Sequence, residues 1–177
     1  MTEGSPELAG QTPPSSDPDD GPPTLFSQLG KIAATIGSDG VSRGERAELR
    51  RMTPDAVPPE VYWRLTERLD PVPSAAEDTF WMTVTALMAQ HRHDTGRRPG
   101  RVLAEAGVSP SRVTRWLRRD RESAWREAGR LLSQLGSSGL DWARFGSLLK
   151  RWDDEKVRRR FARDYFTAYH RSSNHVS

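Results

Sequence analysis

From Leu25 onward, apolar residues along this chain recur at intervals of three and four, the spacing that marks one face of a helix. Leu25, Leu29, Ile32 and Ile36 form the first stripe, and Gly37-Ser38-Asp39-Gly40 stops it. Ser42 followed by Glu45 is a capping box ahead of a short helix reaching Met52, which Thr53-Pro54 ends. Pro58-Pro59 opens another helix, with Tyr62, Leu65 and Leu69 inward. After the stiff Asp70-Pro71-Val72-Pro73 linker, Ser74 and Glu77 repeat the capping box before a long apolar helix through Phe80, Trp81, Val84, Leu87 and Met88.

A loop rich in Gly, Arg and Pro, residues 95–100, separates this half from the next. Arg101 to Ala106 predicts a short helix that Gly107 ends, and Ser109 with Pro110 begins a second one running to about Arg119. Asp141 caps a helix burying Trp142, Phe145, Leu149 and Trp152, and Asp153 is the expected cap of the last helix, with Val157, Phe161, Tyr165 and Ala168 inward. No alternating strand run and no fixed-period repeat occurs. The expected fold is all-α: a helical bundle of two small lobes, residues 25–95 and 96–177, after a disordered tail over residues 1–24.

That tail is rich in Pro, Gly, Ser and Asp and cannot bury enough apolar surface to offset the entropy of ordering. It also conceals how basic the rest is. Residues 1–24 carry five acids and no lysine or arginine, so the remainder carries +8 where the whole chain carries +3. Only Lys31, Lys150 and Lys156 are lysines, leaving 24 arginines, whose planar guanidinium fork matches phosphate. With no cysteine, thiolate metal sites and cysteine nucleophiles are excluded. No basic-then-apolar leader and no run of about 18 apolar residues occurs, so a soluble, cytoplasmic protein with no membrane partner is expected.

Residues 97–130 hold ten arginines against four acids, a net +6. At about 100° per residue from Arg112, Val113, Trp116 and Leu117 fall near 100°, 40° and 140°, whereas Arg115, Arg118 and Arg119 fall near 300°, 240° and 340°. One face of the helix is core and the other is guanidinium. A stripe so uncompensated repels itself unless a polyanion lies on it. The stretch "GRRPGRVLAEAGVSPSRVTRWLRRDRE" has the outline of a helix-turn-helix. A base-reading helix, however, normally offers Asn, Gln, Ser or Thr beside its cations, and here only Ser111 and Thr114 qualify. Phosphate tracking, which positions a protein without reading sequence, fits better.

Smaller basic clusters lie at Arg43, Arg46, Arg50 and Arg51, and at Arg159, Arg160 and Arg163. No catalytic constellation emerges. His91 and His93 lie about 200° apart on a helix and make poor joint metal ligands. His170 and His175 lie near the chain end, and Asp153-Asp154 suits a helix's first turn better than a metal. No glycine-rich phosphate loop is present, so neither a cofactor nor a metal is expected. Trp81, Trp116, Trp142 and Trp152 sit at core spacing, while Trp63 and Trp125 are less clearly placed.

Taken in order, "ERAELRRM", "VPPEVYWRL", "GRVLAEAGVSPSRVTRWLRRDRE", "GRLLSQL" and "LDWARFGSLLKRWDDEKVRRRFARDYF" resemble the CasB family, the small subunit of the type I-E Cascade complex of CRISPR immunity, over about residues 39–166. The resemblance implies a non-catalytic helical subunit, present in two copies beside the backbone and large subunits. It implies that basic surfaces hold displaced single-stranded DNA and steady the guide RNA–DNA hybrid backbone. Carried over by motif, the expected contacts are Arg50, Arg51, Arg101, Arg112 and Arg118. Arg115 and Arg119 join them from the helical wheel. Arg121, Arg130 and Arg159 to Arg163 rank second, with salt bridges to Asp120, Glu127 or Asp164 as the competing expectation. Pro99 stands where the family more often has an apolar residue, and the acidic tail has no counterpart. The competing readings are a homodimeric helix-turn-helix DNA-binding transcriptional regulator, with residues 109–119 as recognition helix, and a helical adaptor for acidic proteins.

Overall fold

The structure is a computed structural model that describes residues 23–174. Its elements are α1 (Pro23–Gly37), α2 (Arg43–Arg51), α3 (Glu60–Thr66), α4 (Asp78–Gln90), α5 (Pro99–Glu105), α6 (Pro110–Leu117), α7 (Arg121–Leu132), α8 (Trp142–Lys150) and α9 (Glu155–Ser173). Short 3₁₀ turns at Ala75–Glu77 and Ser133–Leu135 precede α4 and extend α7. Among the described residues there is no strand, only an isolated parallel bridge between His93 and Leu140. The chain is all-α. The expected tail lies outside the described residues except at its end, where α1 begins two residues early because Pro23 and Thr24 already belong to the helix.

Local chemistry sets most of the helix starts. Ser42 Oγ accepts from the Glu45 amide at 3.2 Å, and the Glu45 carboxylate accepts from the Ser42 amide at 2.7 Å. That reciprocal bond, before a hydrogen bond from Arg64, holds the Glu45 carboxyl below its ordinary value. Ser74 and Glu77 form the second capping box. Asp141 caps α8 as expected. Asp154, not Asp153, caps α9: it is the residue in extended backbone, and its carboxylate reaches the Lys156 amide at 2.9 Å. Asp153 points outward and pairs with Arg121. Pro99 starts α5 two residues ahead of the expected position, since its fixed φ suits the first helical turn. Helix α7 had no expected counterpart. Asp120 caps it at 2.9 Å from the Ser123 amide, and Ala124, Ala128, Leu131 and Leu132 face the core.

One continuous core runs through the described helices. α1 lies on α8, α2 on α4, α4 on α7, and α5 along α9. One of these contacts needs glycine, and a second packs closely on one. A Cβ on Gly100 would sit 2.7 Å from the Phe161 carbonyl and 2.8 Å from the Tyr165 amide, both backbone atoms of α9. One on Gly146 would strike Leu29 of α1 at 2.7 Å. Trp81, Trp116, Trp142 and Trp152 are buried, and three of their indoles tie distant segments together. Trp116 donates to the Ala124 carbonyl at 2.9 Å, Trp152 to that of Arg119 at 2.9 Å, and Trp142 to that of His91 at 3.3 Å. Trp125, half-buried, donates to Leu149 at 2.8 Å, whereas Trp63 remains 47% exposed.

Because backbone cannot yield as a side chain can, Gly100→Ala is expected to cost about 1–3 kcal/mol in urea unfolding, whereas Gly44→Ala, on an open face of α2, is neutral or stabilises by up to about 1 kcal/mol.

Candidate nucleic-acid interface

α6 has eight residues, too few to persist alone, and is held by Val113 and Trp116, both buried. Trp116 enters an aromatic cluster, with ring centroids 4.5 Å from Trp152, 5.6 Å from Phe161 and 6.0 Å from Phe145. Gly107, with φ +75°, turns the chain between α5 and α6. Tyr165 of α9 donates to the Val108 carbonyl in the same turn. With its inner face anchored, α6 presents Ser111, Thr114, Arg115, Arg118 and Arg119 around an open concavity of about 470 Å³.

The seven expected arginines differ in how they are held. Arg115 and Arg118 are exposed and have no partner among the described residues. Arg119 is doubly bonded to Glu127, at 3.2 and 3.3 Å, so its charge is largely offset. Arg112 is half-buried and donates to the Arg130 carbonyl at 2.8 Å, which steers it toward the end of α7 and away from the concavity. Arg101 bonds to Glu105 at 2.8 Å, and Arg97 reaches the same carboxylate at 2.6 Å, leaving two guanidiniums on one acid. Arg101 also lines a groove between α5 and α9 with Arg163 and Arg171, both exposed. Arg50 donates to the Ala89 carbonyl at 2.7 Å in a cleft between α2 and α4, and Arg51 projects into solvent from the end of α2.

The structure therefore brings Arg115, Arg118 and Arg119 together. Arg101 and Arg50 each line a different depression, and these share no lining residue with the α6 concavity. The salt bridges also differ in detail from expectation. Glu127 takes Arg119, Asp164 takes Arg98 at 3.2 Å, and Arg159 pairs within its own helix with Glu155 at 2.6 Å. Sequence reading missed Arg171. The signal lay in its i+8 spacing from Arg163, which puts both on one face of α9.

Among the described residues no group of three or more His, Asp or Glu is placed to hold a metal ion. His93 is used structurally: its Nδ1 accepts from the Trp142 amide at 3.3 Å and its Nε2 lies 3.0 Å from the Thr95 hydroxyl.

A family model described as CRISPR-associated protein Cse2 matches residues 45–166, well over half of the chain. The chain belongs to the Cse2 family. Among solved structures, CasB from Thermus thermophilus is similar at 27% identity and a TM-score of 0.59, covering 81% of this chain and 98% of that one. A chain from the E. coli Cascade complex bound to a PAM-containing double-stranded DNA target shares the fold at 20% identity, with a TM-score of 0.61 over 79% of this chain and 95% of that one. No curated protein matches the sequence. Within this Cse2-family chain, the match takes in α3 to α8 entire, most of α2 and the first two-thirds of α9, and so includes the α6 concavity.

Burial would raise the Glu105 carboxyl, but hydrogen bonds from Arg101 and Arg97 outweigh it and hold the group below its ordinary value. A depressed carboxylate contributes stability above its unfolded value, and that contribution is lost as pH falls through the lower folded one. Glu105→Gln removes the one negative charge shared by Arg97 and Arg101. It is expected to tighten binding to heparin about twofold, read as later salt elution, because one unit charge at about 8 Å in water is worth about 0.5 kcal/mol.

Proposed function

We propose that this chain is the non-catalytic small subunit of a type I-E Cascade complex, and that it steadies the R-loop by arginine–phosphate contacts during antiviral defence. Its nucleic-acid partners in this reading are the displaced single strand and the backbone of the guide RNA–DNA hybrid. Its protein partners are a second copy of itself, the backbone subunits and the large subunit, all in the cytoplasm. The observation that carries the reading is the α6 concavity, where Arg115 and Arg118 stand exposed with no ion-pair partner among the described residues. Opening a DNA duplex against a guide is a near-balanced exchange, so a few backbone contacts are enough to tip it.

The same concavity argues against a transcriptional regulator. Among the described residues Ser111 and Thr114 are the only neutral polar side chains that line it, and no Asn or Gln does. The relative's assembly, a Cascade complex with double-stranded DNA bound, supports nucleic acid and Cascade subunits as partners rather than acidic proteins.

Fluorescence anisotropy with random-sequence single- and double-stranded DNA over a salt series tests the reading. Binding without sequence preference and with a steep salt slope is expected, since each phosphate contact contributes about −0.7 to −0.9 to that slope. Arg115→Glu with Arg118→Glu is expected to weaken binding about tenfold or more for every sequence and to flatten the slope by about 2. Because neither side chain has a partner among the described residues, circular dichroism and the unfolding midpoint should not change. Undiminished affinity in the double variant excludes this face, and a duplex sequence bound selectively at high salt restores the regulator.

A further inference from the structure

A second basic depression lies between α1, α2 and the end of α4, with a volume of about 320 Å³. Arg46, Arg50, His91, Arg92 and His93 line it, and among the described residues no carboxylate does. Its two α2 guanidiniums are fixed by carbonyls: Arg46 Nη2 donates to Ile36 and, at 3.5 Å, to Ser38, and Arg50 Nε donates to Ala89 at 2.7 Å. These carbonyls belong to the C-terminal ends of α1 and α4, whose dipoles amount to about half a negative charge each. Three guanidiniums against two half charges leave the depression with about two positive charges.

Helix capping does not account for every group there. Arg46 Nε and His91 Nδ1 are both buried and have no hydrogen-bond partner among the described residues. Buried polar nitrogens normally find a partner, and an oxyanion that reaches the floor of the depression is an acceptor for Arg46 Nε and, where Nδ1 carries a proton, for His91. Burial, and after it the charge of Arg50, holds this imidazole below the ordinary histidine value. An anion placed between His91 and Arg50 removes the repulsion and favours the imidazolium.

The groups facing His91 are few. Arg46 and Arg50 come from α2, Arg92 and His93 from its own segment, and α1 contributes only Ala33, Ile36 and Gly37. From α8 the indole of Trp142 reaches the His91 carbonyl. The nearby acids are engaged or turned away. Asp94 faces Arg97 at 3.9 Å, Asp141 accepts from Gly96 and Arg144, and Asp39 and Glu48 are exposed outside the depression.

We propose that this depression is a second phosphodiester site, in which Arg46 and Arg50 grip one phosphate, Arg92 guards the mouth, and His91 takes up a proton as the phosphate enters. The inference rests on the reading that the chain holds nucleic-acid backbone. It adds a separate location and a proton linkage, which the α6 concavity, lined by no histidine among the described residues, does not provide. Because the bound site favours the protonated imidazole, affinity rises as pH falls through the bound value and levels off below the free one.

The test follows the ring nitrogens of His91 by NMR in the full chain, from about pH 5 to 8, in chloride, in inorganic phosphate of matched ionic strength, and with a short oligothymidylate. His91→Gln assigns the resonance. Both phosphate and oligothymidylate should raise the His91 midpoint. Oligothymidylate affinity should grow about three- to tenfold from about pH 8 to pH 6, with that gain lost in His91→Gln and overall affinity lowered in Arg92→Gln. If oligothymidylate binds while the His91 midpoint stays still, the proposal is overturned and the nucleic-acid reading stands. A midpoint moved by phosphate but not by bound oligothymidylate marks a free-anion site and also overturns it. If oligothymidylate binds at no pH, the reading beneath the proposal fails, and the proposal with it.

Discussion

The seating of Trp116 is the constraint on which the rest of this molecule depends. α6 is two turns long, and so short a helix does not hold its shape in water by its own hydrogen bonds. What holds it is one indole set among Trp152, Phe161 and Phe145, with its N–H satisfied by the Ala124 carbonyl. The cluster draws on α6, α8, α9 and the turn after α8, and the Ala124 bond adds α7. A second tryptophan closes the arrangement, since Trp152 donates to the carbonyl of Arg119, just past the end of α6. The cationic face is displayed because the opposite face is nailed down by aromatic packing, which carries no charge and is not screened by salt.

Much of this was legible in the chain. The Ser42/Glu45 and Ser74/Glu77 boxes, the Asp141 cap and the glycine at 107 are local devices, decided within a few residues, and each falls where the pattern puts it. The buried set of Trp81, Trp116, Trp142 and Trp152 follows from helical spacing alone. Where reading failed, the deciding forces were not local. Choosing between Asp153 and Asp154 as a cap depends on which of two adjacent residues takes extended backbone, and the neighbouring Arg121 draws Asp153 outward. α7 was hidden because the first half of its buried face is alanine, Ala124 and Ala128, which gives a weak apolar signal until a partner helix lies against it.

The arginines show the same division. Periodicity places Arg115, Arg118 and Arg119 on one face, and the structure keeps them together. It could not say which of them meets an acid. Glu127, eight residues beyond Arg119, reaches it only because α7 folds back beside α6. Nor could the pattern say that Arg50 and Arg101 would line separate depressions, because that depends on where α2 and α5 pack. Charge counting along a sequence finds a basic region, and tertiary pairing decides which part of it stays unspent.

The arginines thus fall into two physical kinds, and the difference bears on how each meets a polyanion. Arg46, Arg50 and Arg112 are held by backbone carbonyls, which fix a guanidinium without cancelling its charge. A side chain fixed in this way has already lost much of its rotamer freedom on folding, so less entropy is lost when an anion arrives. Arg115 and Arg118 are exposed and have no partner among the described residues, so nothing described there restricts their rotamers. They lose more entropy on binding but can follow a backbone whose position varies. A surface that combines fixed and adaptable cations suits a ligand of regular charge and irregular path. That describes a nucleic-acid strand held by its phosphates better than a duplex read at defined base edges.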